Sequence, residues 1–591
     1  MYPDLRSFIA DLERRGDLVR VKAEVDPNQE ITIIQHRVIA AGGPALLFEK
    51  VKGSRHPIVS NLFGTPRRVA MVCGSSPAEL GERVVRVAHQ LMPPSVSNLW
   101  RLRHDLRRLF PMRLRRVQSG PVLDQCQEPP DLNQLPVLTC WPEDGGAFFT
   151  LPLVHTVDPQ TGQGNLGIYR LQRFDATITG MHWQIEKGGG FHFHQACRLG
   201  RPLPVSVVLG GPPSLIIAAV APLPEGVDER LLAAYLMGQP LDVVARPQSG
   251  HRIPASAEFI LEGEVRAGDV RREGPFGDHF GHYSAAADYP VFRVRRILSR
   301  KDAIYPATVV GKPVQEDYYI GEALQEMTLP LLRMLKPAIV DLWAYPETGF
   351  HALAVMAVRQ RYAREALKLT LGMLGEGQVS LTKVMITVEP EVNVRDFRQV
   401  STALWRYLTP EGVHLLSPTA QDTLDFTGPA MNTGSRLILL AVNGQGGSVR
   451  IQPPPPVPSA GDLHPQVRAV AACGPAFLMV QVQDGFEQWE ALCEILRRNE
   501  AARQYLFQVV VSADVILDDP VMMLWGWFTR FDPAADSHPA GRSIQGNRLL
   551  LEFPITIDAR WKKGYPRPVA FDPAVERRVN GRWKEYGITH G

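Results

Sequence analysis

The chain has no run of roughly 18 uninterrupted apolar residues, so no segment is expected to cross a membrane as a helix. Cysteine is scarce: six in 591 residues, at 73, 126, 140, 197, 473 and 493, far apart and without a CxxC pair. That excludes a dense disulfide framework and fits a reducing, cytoplasmic setting. No sign of charge predominates. With 64 Lys and Arg against 61 Asp and Glu the net charge is +3, a balance that does not favour nucleic acid or an anionic membrane, so any basic partner site has to be local. The N-terminal stretch MYPDLRSFIADLERRGDLVRV lacks a continuous apolar core and a small-residue cleavage site, and no signal peptide is expected there. No internal repeat is apparent.

What the chain has is length and a changing pattern. At 591 residues it exceeds a single core, and roughly three or four domains are expected. Leu5, Phe8, Ile9 and Leu12 recur at helical spacing until Gly16, and strand-like 18–21, 46–48 and 58–60 with a helical 78–91 complete an N-terminal α/β domain, 1–115. Beyond it come short β-rich runs between Gly and Pro (204–209, 215–220, 259–265, 291–298, 305–310), which predict a β-barrel or sandwich-like domain, 116–318. Leu324, Met327, Leu331 and Leu335 share one face of a linker helix, 319–336. A helix over 361–374 alternating with strands at 384–388 and 437–442 predicts a C-terminal α/β domain, 337–520. The remainder, 521–591, with Trp525, Trp527, Trp561 and Trp583 among charges, reads as a C-terminal extension that packs on the body or on a neighbouring protomer. The fold class is α/β (α+β).

Chemistry-bearing residues concentrate in two stretches. The first, 273–283, reads EGPFGDHFGHY. Gly274, Gly277 and Gly281 allow tight turns and close approach of a ligand, Pro275 stiffens the chain, and the turn aims Glu273 and Asp278 separately. Two carboxylates on a rigid loop can serve as an acid and base pair; an ordinary turn with solvated charges is the competing reading. The second, 165–194, reads NLGIYRLQRFDATITGMHWQIEKGGGFHFH. Arg170 suits a carboxylate or phosphate, because the guanidinium fork binds such oxygens bidentately, and the glycines 188–190 let backbone N–H groups approach an anion. On a strand, His192 and His194 would share a face and could reach one metal ion; between Phe191 and Phe193, a packed strand end is the alternative. His182 before Trp183 reads as a packing or cofactor-wall residue. A third stretch, 101–116, sets seven arginines among Leu102, Leu106, Leu109 and Leu114. It reads as a basic helix with its leucines on the protein and its arginines in water or at an interface between protomers, rather than as a nucleic-acid patch.

The signatures NLGIYR, GMHWQI, PASAEFILEGE and EGPFGDHFGHYS, in this order and at these spacings, resemble the UbiD decarboxylases, which use prenylated FMN. The likeness runs from DLRSFIADLERRGDLVRV through LTKVMITVEPEVNVRDF, and the WPEDGGAFFTLP and TVVGKPVQEDYYIGEALQEMTLPLLRML segments resemble the longer branch associated with menaquinone biosynthesis by the futalosine route. The resemblance implies a split β-barrel flavin domain at the centre of the chain. It also implies reversible, non-oxidative decarboxylation of an aromatic acid by covalent catalysis: 1,4-dihydroxy-6-naphthoate on branch likeness, or another aromatic or heteroaromatic acid. A flavin-binding scaffold without turnover is the alternative of a different class.

Carried over by position, the catalytic residues would be Arg170, Glu273 and Asp278. Arg170 would pair with Glu273 and hold the substrate carboxylate; Asp278 would donate the proton, for which a raised pKa is needed. Flavin contacts would come from Ile168, Tyr169, Arg170, His182, Trp183, Gln184, Lys187 and Gly188, with Lys383 approaching from the C-terminal domain. Manganese, or magnesium, would be held by Asn165 and Glu229 with the cofactor phosphate, and by Glu186, which stands where most relatives have histidine; a glutamate can ligate such a cation through oxygen. Potassium is expected near Ala218, Ala219 and Ala221. A flavin prenyltransferase would supply the cofactor, and relatives imply at least a homodimer built through the C-terminal domain.

Overall fold

The computed structural model describes residues 1–92, 95–183, 188–224, 226–443 and 450–589. The chain divides into two compact units, one of Met1–Met327 with Arg567–Gly591 and one of Thr328–Pro566. Both ends of the chain therefore belong to the first unit.

The first unit opens with the helix Leu5–Arg14, which buries the predicted Leu5, Phe8, Ile9 and Leu12; Asp4 caps it in a reciprocal box with Ser7. Strands Leu18–Val25, Ala45–Val51, Ile58–Ser60 and Tyr305–Pro306 form one four-stranded sheet. The larger sheet is antiparallel, in the order Ile178–Gly180, Ala287–Ser299, Phe259–Glu273, Leu203–Leu209, Leu153–Val157, Gly164–Ile168, with Gln125–Gln127 paired to Ala287–Ser299. Val205, Val207, Leu261, Val265, Phe292 and Val294 place one face of this sheet in a continuous core.

Three local expectations change. The apolar run at 215–220 is a helix, Ser214–Val220, entered from Pro212 and Pro213 and buried from Ser214 to Ala218; a short run buried on every side has no period by which to tell helix from strand. Gly188–Arg198 is also helical, so His192 and His194 project to opposite sides and share no face. His192 meets Thr156 at 2.9 Å, and His194 is exposed. The arginine-rich stretch breaks into two short helices, Val96–Arg101 and Arg103–Arg107, before the strand Leu114–Val117; of its leucines only Leu102 is fully buried.

The second unit contains a repeat that the residue pattern hides. Its first sheet runs Ile339–Ala344, Leu353–Val358, Val384–Val388, Thr433–Ala441, Val413–Ala420, and its second runs Val467–Cys473, Phe477–Val482, Phe507–Val511, Arg548–Ala559, Ser537–Gln545. In each the outer strands are antiparallel to their neighbours and the three inner strands are parallel. Equivalent positions follow from register, since Leu353↔Val384↔Leu437 in one sheet matches Phe477↔Phe507↔Ile555 in the other. On that alignment Asp396 coincides with Asp519, and each caps the next helix: Asp396 accepts from the N–H groups of Arg398 and Gln399, Asp519 from those of Val521 and Met522. His414 and His538 likewise coincide, opposite Ile438 and Thr556. The copies pack through Phe397, stacked on Phe477 at 5.5 Å and edge-on to Trp527 and Phe528, and through Asp532, which accepts from the N–H (3.0 Å) and Oγ (2.7 Å) of Ser435.

Candidate active site

The stretch 273–283 forms the tip of the long hairpin Phe259–Glu273 and Ala287–Ser299: Glu273 faces Ala287, and a second short ladder pairs Phe276–Gly277 with Tyr283–Ser284. Its glycines serve two purposes. Gly274 (φ +90) and Gly281 (φ +73) adopt left-handed backbone, whereas a Cβ on Gly277 would lie 2.2 Å from Cδ1 of Trp141. Three neighbours fix the tip. Asp144 accepts from the N–H of Gly277 (2.8 Å) with one oxygen and from Cys140 (3.0 Å) and Trp141 (2.8 Å) with the other. Gln172 accepts from the N–H of Gly274 (2.8 Å) and donates to the carbonyl of Gly145 (2.7 Å). The C-terminal tail lies alongside, the N–H of Tyr283 donating to Arg567 O and that of Val569 to Gly281 O, both at 3.0 Å, while Phe571 stacks on Trp141 at 5.3 Å.

Into this tip reaches Arg170, two residues past the strand Gly164–Ile168. Its Nε donates to Glu273 Oε1 (3.1 Å), one Nη to Asp278 Oδ2 and the other to Ser284 Oγ (2.9 Å), and its guanidinium lies 4.9 Å over the ring of Phe276. His182 Nδ1 meets the same Glu273 oxygen at 2.9 Å, its ring against Tyr289 at 4.2 Å. The structure thus brings together Arg170, Glu273, Asp278 and His182, all buried. Burial and then Arg170 push the imidazole of His182 down, so it is neutral and donates from Nδ1 to the carboxylate. Its Nε2 and Oε2 of Glu273 are buried with no hydrogen-bond partner among the described residues. For Asp278 burial acts upward, but Arg170 and the ring and backbone N–H of His279 outweigh it and hold the carboxyl well below the usual range. In this geometry Asp278 is an anion, the reverse of the raised pKa expected of a proton donor.

Beside this cluster, Tyr169 OH accepts from the N–H of Gly189 at 3.2 Å, and a Cβ on Gly188 would lie 2.0 Å from Asn165 Oδ1. Asn165 Nδ2 and Trp183 Nε1 are buried with no hydrogen-bond partner among the described residues. Glu229 opens the helix Glu229–Met237 and accepts from the N–H of Leu166 (2.7 Å), the residue after Asn165; burial pushes its carboxyl up to about 7. An amide oxygen and a carboxylate supplied from adjacent positions suit a hard cation, and the lack of a side chain at Gly188 keeps the space beside Asn165 Oδ1 free, so these residues fit the expected metal at the flavin phosphate. Ile168 ends the Asn165 strand, half-buried. Gln184, Glu186 and Lys187 lie outside the described residues, among which no group of three or more His, Cys, Asp or Glu could hold a metal. Ala218, Ala219 and Ala221 lie at the C-terminal end of the helix Ser214–Val220, where Ala218 O accepts from the N–H of Ala221 (3.2 Å) and Ala221 O from that of Leu223 (2.8 Å). Lys383 belongs to the second unit, fully buried, with Nζ 2.8 Å from Asp425 Oδ2 and 5.4 Å from the ring of Phe531.

Sequence reasoning missed Asp144, Gln172, Ser284, Tyr289 and the tail around Phe571. For Asp144 the WPEDGG segment held a signal, an acid beside two glycines; the others contribute through long-range contacts that no spacing betrays.

Three family models match the chain: 3-octaprenyl-4-hydroxybenzoate carboxy-lyase N-terminal domain over residues 9–88, Rift-related domain over 115–313, and C-terminal domain over 318–441. The chain is 41% identical to a protein of Chlamydia trachomatis serovar D, covering 98% of this chain and 99% of the relative. It is 40% identical to a Chlamydia pneumoniae protein named as a component of 4-hydroxybenzoate decarboxylase, covering 98% of each. Among solved structures, vanillic acid decarboxylase of Sedimentibacter hydroxybenzoicus in closed form superposes with a TM-score of 0.66 at 24% identity, over 84% of this chain and 100% of the other. The UbiD-class enzyme HmfF of Pelotomaculum thermopropionicum in complex with FMN does so with a TM-score of 0.62 at 27% identity, over 76% and 97%. By sequence along its whole length and by fold, the chain belongs to the UbiD family and is a carboxy-lyase of that family.

Proposed function

We propose that the protein decarboxylates 1,4-dihydroxy-6-naphthoate, reversibly and without oxidation, using prenylated FMN. The observation that carries the reaction is the buried Arg170 held between Glu273 and Asp278. When bound, prenylated FMN supplies the electron sink that loss of CO₂ from an aromatic carbon requires. Asn165 and Glu229, with Glu186, would hold manganese or magnesium at its phosphate, and the carbonyls around Ala218, Ala219 and Ala221 would hold potassium.

Arg170 binds the substrate carboxylate. To do so it exchanges Asp278 for the incoming anion while Nε and neutral His182 keep Glu273 in place. Asp278 then loses the cation that holds its carboxyl down, burial raises it, and it takes up a proton that it delivers to the vacated carbon. The depressed carboxyl beside Arg170 and the donor needed during turnover are two states of one residue, separated by what occupies the guanidinium.

The naphthoate is favoured by the resemblance of two segments to the menaquinone branch. The name of the Chlamydia pneumoniae relative favours a second substrate, 4-hydroxybenzoate. Co-expression with a flavin prenyltransferase, a visible spectrum and CO₂ release from each acid test both readings. The enzyme should turn over one of them, and Asp278→Asn or Glu273→Gln should stop CO₂ release while the flavin stays bound. Full turnover by either variant removes the assignment, and purification without flavin removes the cofactor.

A further inference from the structure

Among the described residues of the first unit, the most exposed large apolar side chains sit in the arginine-rich stretch 95–113. Val96 is 85% exposed, Trp100 68% and Phe110 69%, with Leu99, Leu109 and Met112 exposed beside them. In the same stretch there are five arginines against one acid, Asp105. Leu102 anchors the two short helices by its burial, and Val96, Trp100, Arg103 and Arg107, at i, i+4, i+7 and i+11, fall on a side turned away from it. Arg103 lies 4.0 Å over the indole of Trp100 and donates to its carbonyl, so aromatic ring and cation project as one amphipathic group. The stretch falls between the regions that match the family models, 9–88 and 115–313.

We propose that residues 95–113 dock the protein onto an anionic lipid surface. Short helices with Trp, Phe and Leu exposed among arginines are the composition of segments that lie in the headgroup layer, rings at the acyl boundary and cations on the phosphates. Charge complementarity selects this occupant. A second copy pairing through the same face would set five arginines against five, and nucleic acid makes no use of Val96, Leu99, Leu109 and Met112, which have no π-face to stack on bases. The protein lies on the surface and does not span it, since no helix among the described residues is long and apolar enough to cross a membrane. Net charge near zero hides the patch, which is local.

The test is co-sedimentation of the full chain with phosphatidylcholine vesicles, with and without about one-third phosphatidylglycerol, with analytical ultracentrifugation of the same samples without lipid. Wild type should pellet with anionic vesicles only, and less as salt rises. Arg107→Ala with Arg108→Ala should weaken partitioning roughly tenfold or more. Trp100→Ser with Phe110→Ser should abolish it without changing the unfolding temperature, because neither ring is in the core. No binding to anionic vesicles, equal binding by the variants, or a variant that changes the mass in solution instead of vesicle binding would each overturn the proposal, the last in favour of a second copy.

Discussion

At the scale of single residues the site is governed by Arg170, whose two carboxylate partners lie 103 and 108 positions away in the chain. The pH dependence of stability follows from the depressed carboxyl of Asp278. Because its folded pKa lies below the unfolded one, its contribution is complete above the unfolded value, about pH 4, and is lost as pH falls through the folded value. Asp278→Asn should therefore cost about 3 kcal/mol in denaturant titrations, the order expected for breaking a buried pair. The difference from wild type should stay flat between about pH 5 and 8 and shrink at more acidic pH. A second prediction concerns Trp141, which is wedged against Gly277 and Gly311; a Cβ on Gly311 would lie 2.4 Å from its Cζ2. Gly277→Ala should cost about 1–3 kcal/mol by overpacking, read as a lower unfolding temperature, with a loss of turnover because Asp278 is the next residue.

At the scale of elements, local pattern served well where an amphipathic face or a run rich in β-branched residues marks the element. The helix Leu5–Arg14, with one buried face, and the strands Ile58–Ser60 and Val384–Val388, buried throughout but rich in Ile, Val and Thr, stand where the sequence placed them. It failed at Ser214–Val220 and Gly188–Arg198, where burial on all sides or a glycine run removes the periodic signal. The duplicated sheets make the same point. Side chains differ between the two halves, but both have the spacing V-x-[VL]-x-D, as Val392, Val394 and Asp396 and as Val515, Leu517 and Asp519, because each half must leave a strand and cap a helix in the same geometry. Asp396→Ala and Asp519→Ala should each cost about 1 kcal/mol, alike in size, as the loss of an N-cap does; chemical denaturation of the two variants checks it.

At the scale of the whole molecule, the tail carries weight out of proportion to its length. Residues 567–571 run beside the hairpin tip that carries Asp278, and further on Arg582 Nη1 and Tyr586 OH both donate to buried Glu30 at 2.6 Å. One tail segment thereby contacts both the hairpin tip and the helix Glu30–Ala40. Phe571→Ala removes the ring stacked on Trp141 and should cost about 2 kcal/mol. It should also lower kcat while bound flavin is unchanged, since the tail's backbone hydrogen bonds go to the Asp278 loop and the Phe571 ring packs on Trp141 and His36; steady-state kinetics with the visible spectrum separates the two.

What the sequence determined by itself was whatever depends on neighbours along the chain: amphipathic helices, glycine-shaped turns, and the two dense stretches at 165–194 and 273–283. Tertiary structure decided the rest. It placed Asp278 against Arg170 and so made an anion of the expected acid, and it laid the tail on the hairpin tip. It also paired Lys383 with Asp425 within the second unit. The physical reason is the same in each case. A turn is dictated by the torsions its own residues tolerate, but the protonation of a carboxylate and the support of a loop depend on which distant charges and rings folding brings within a few ångströms.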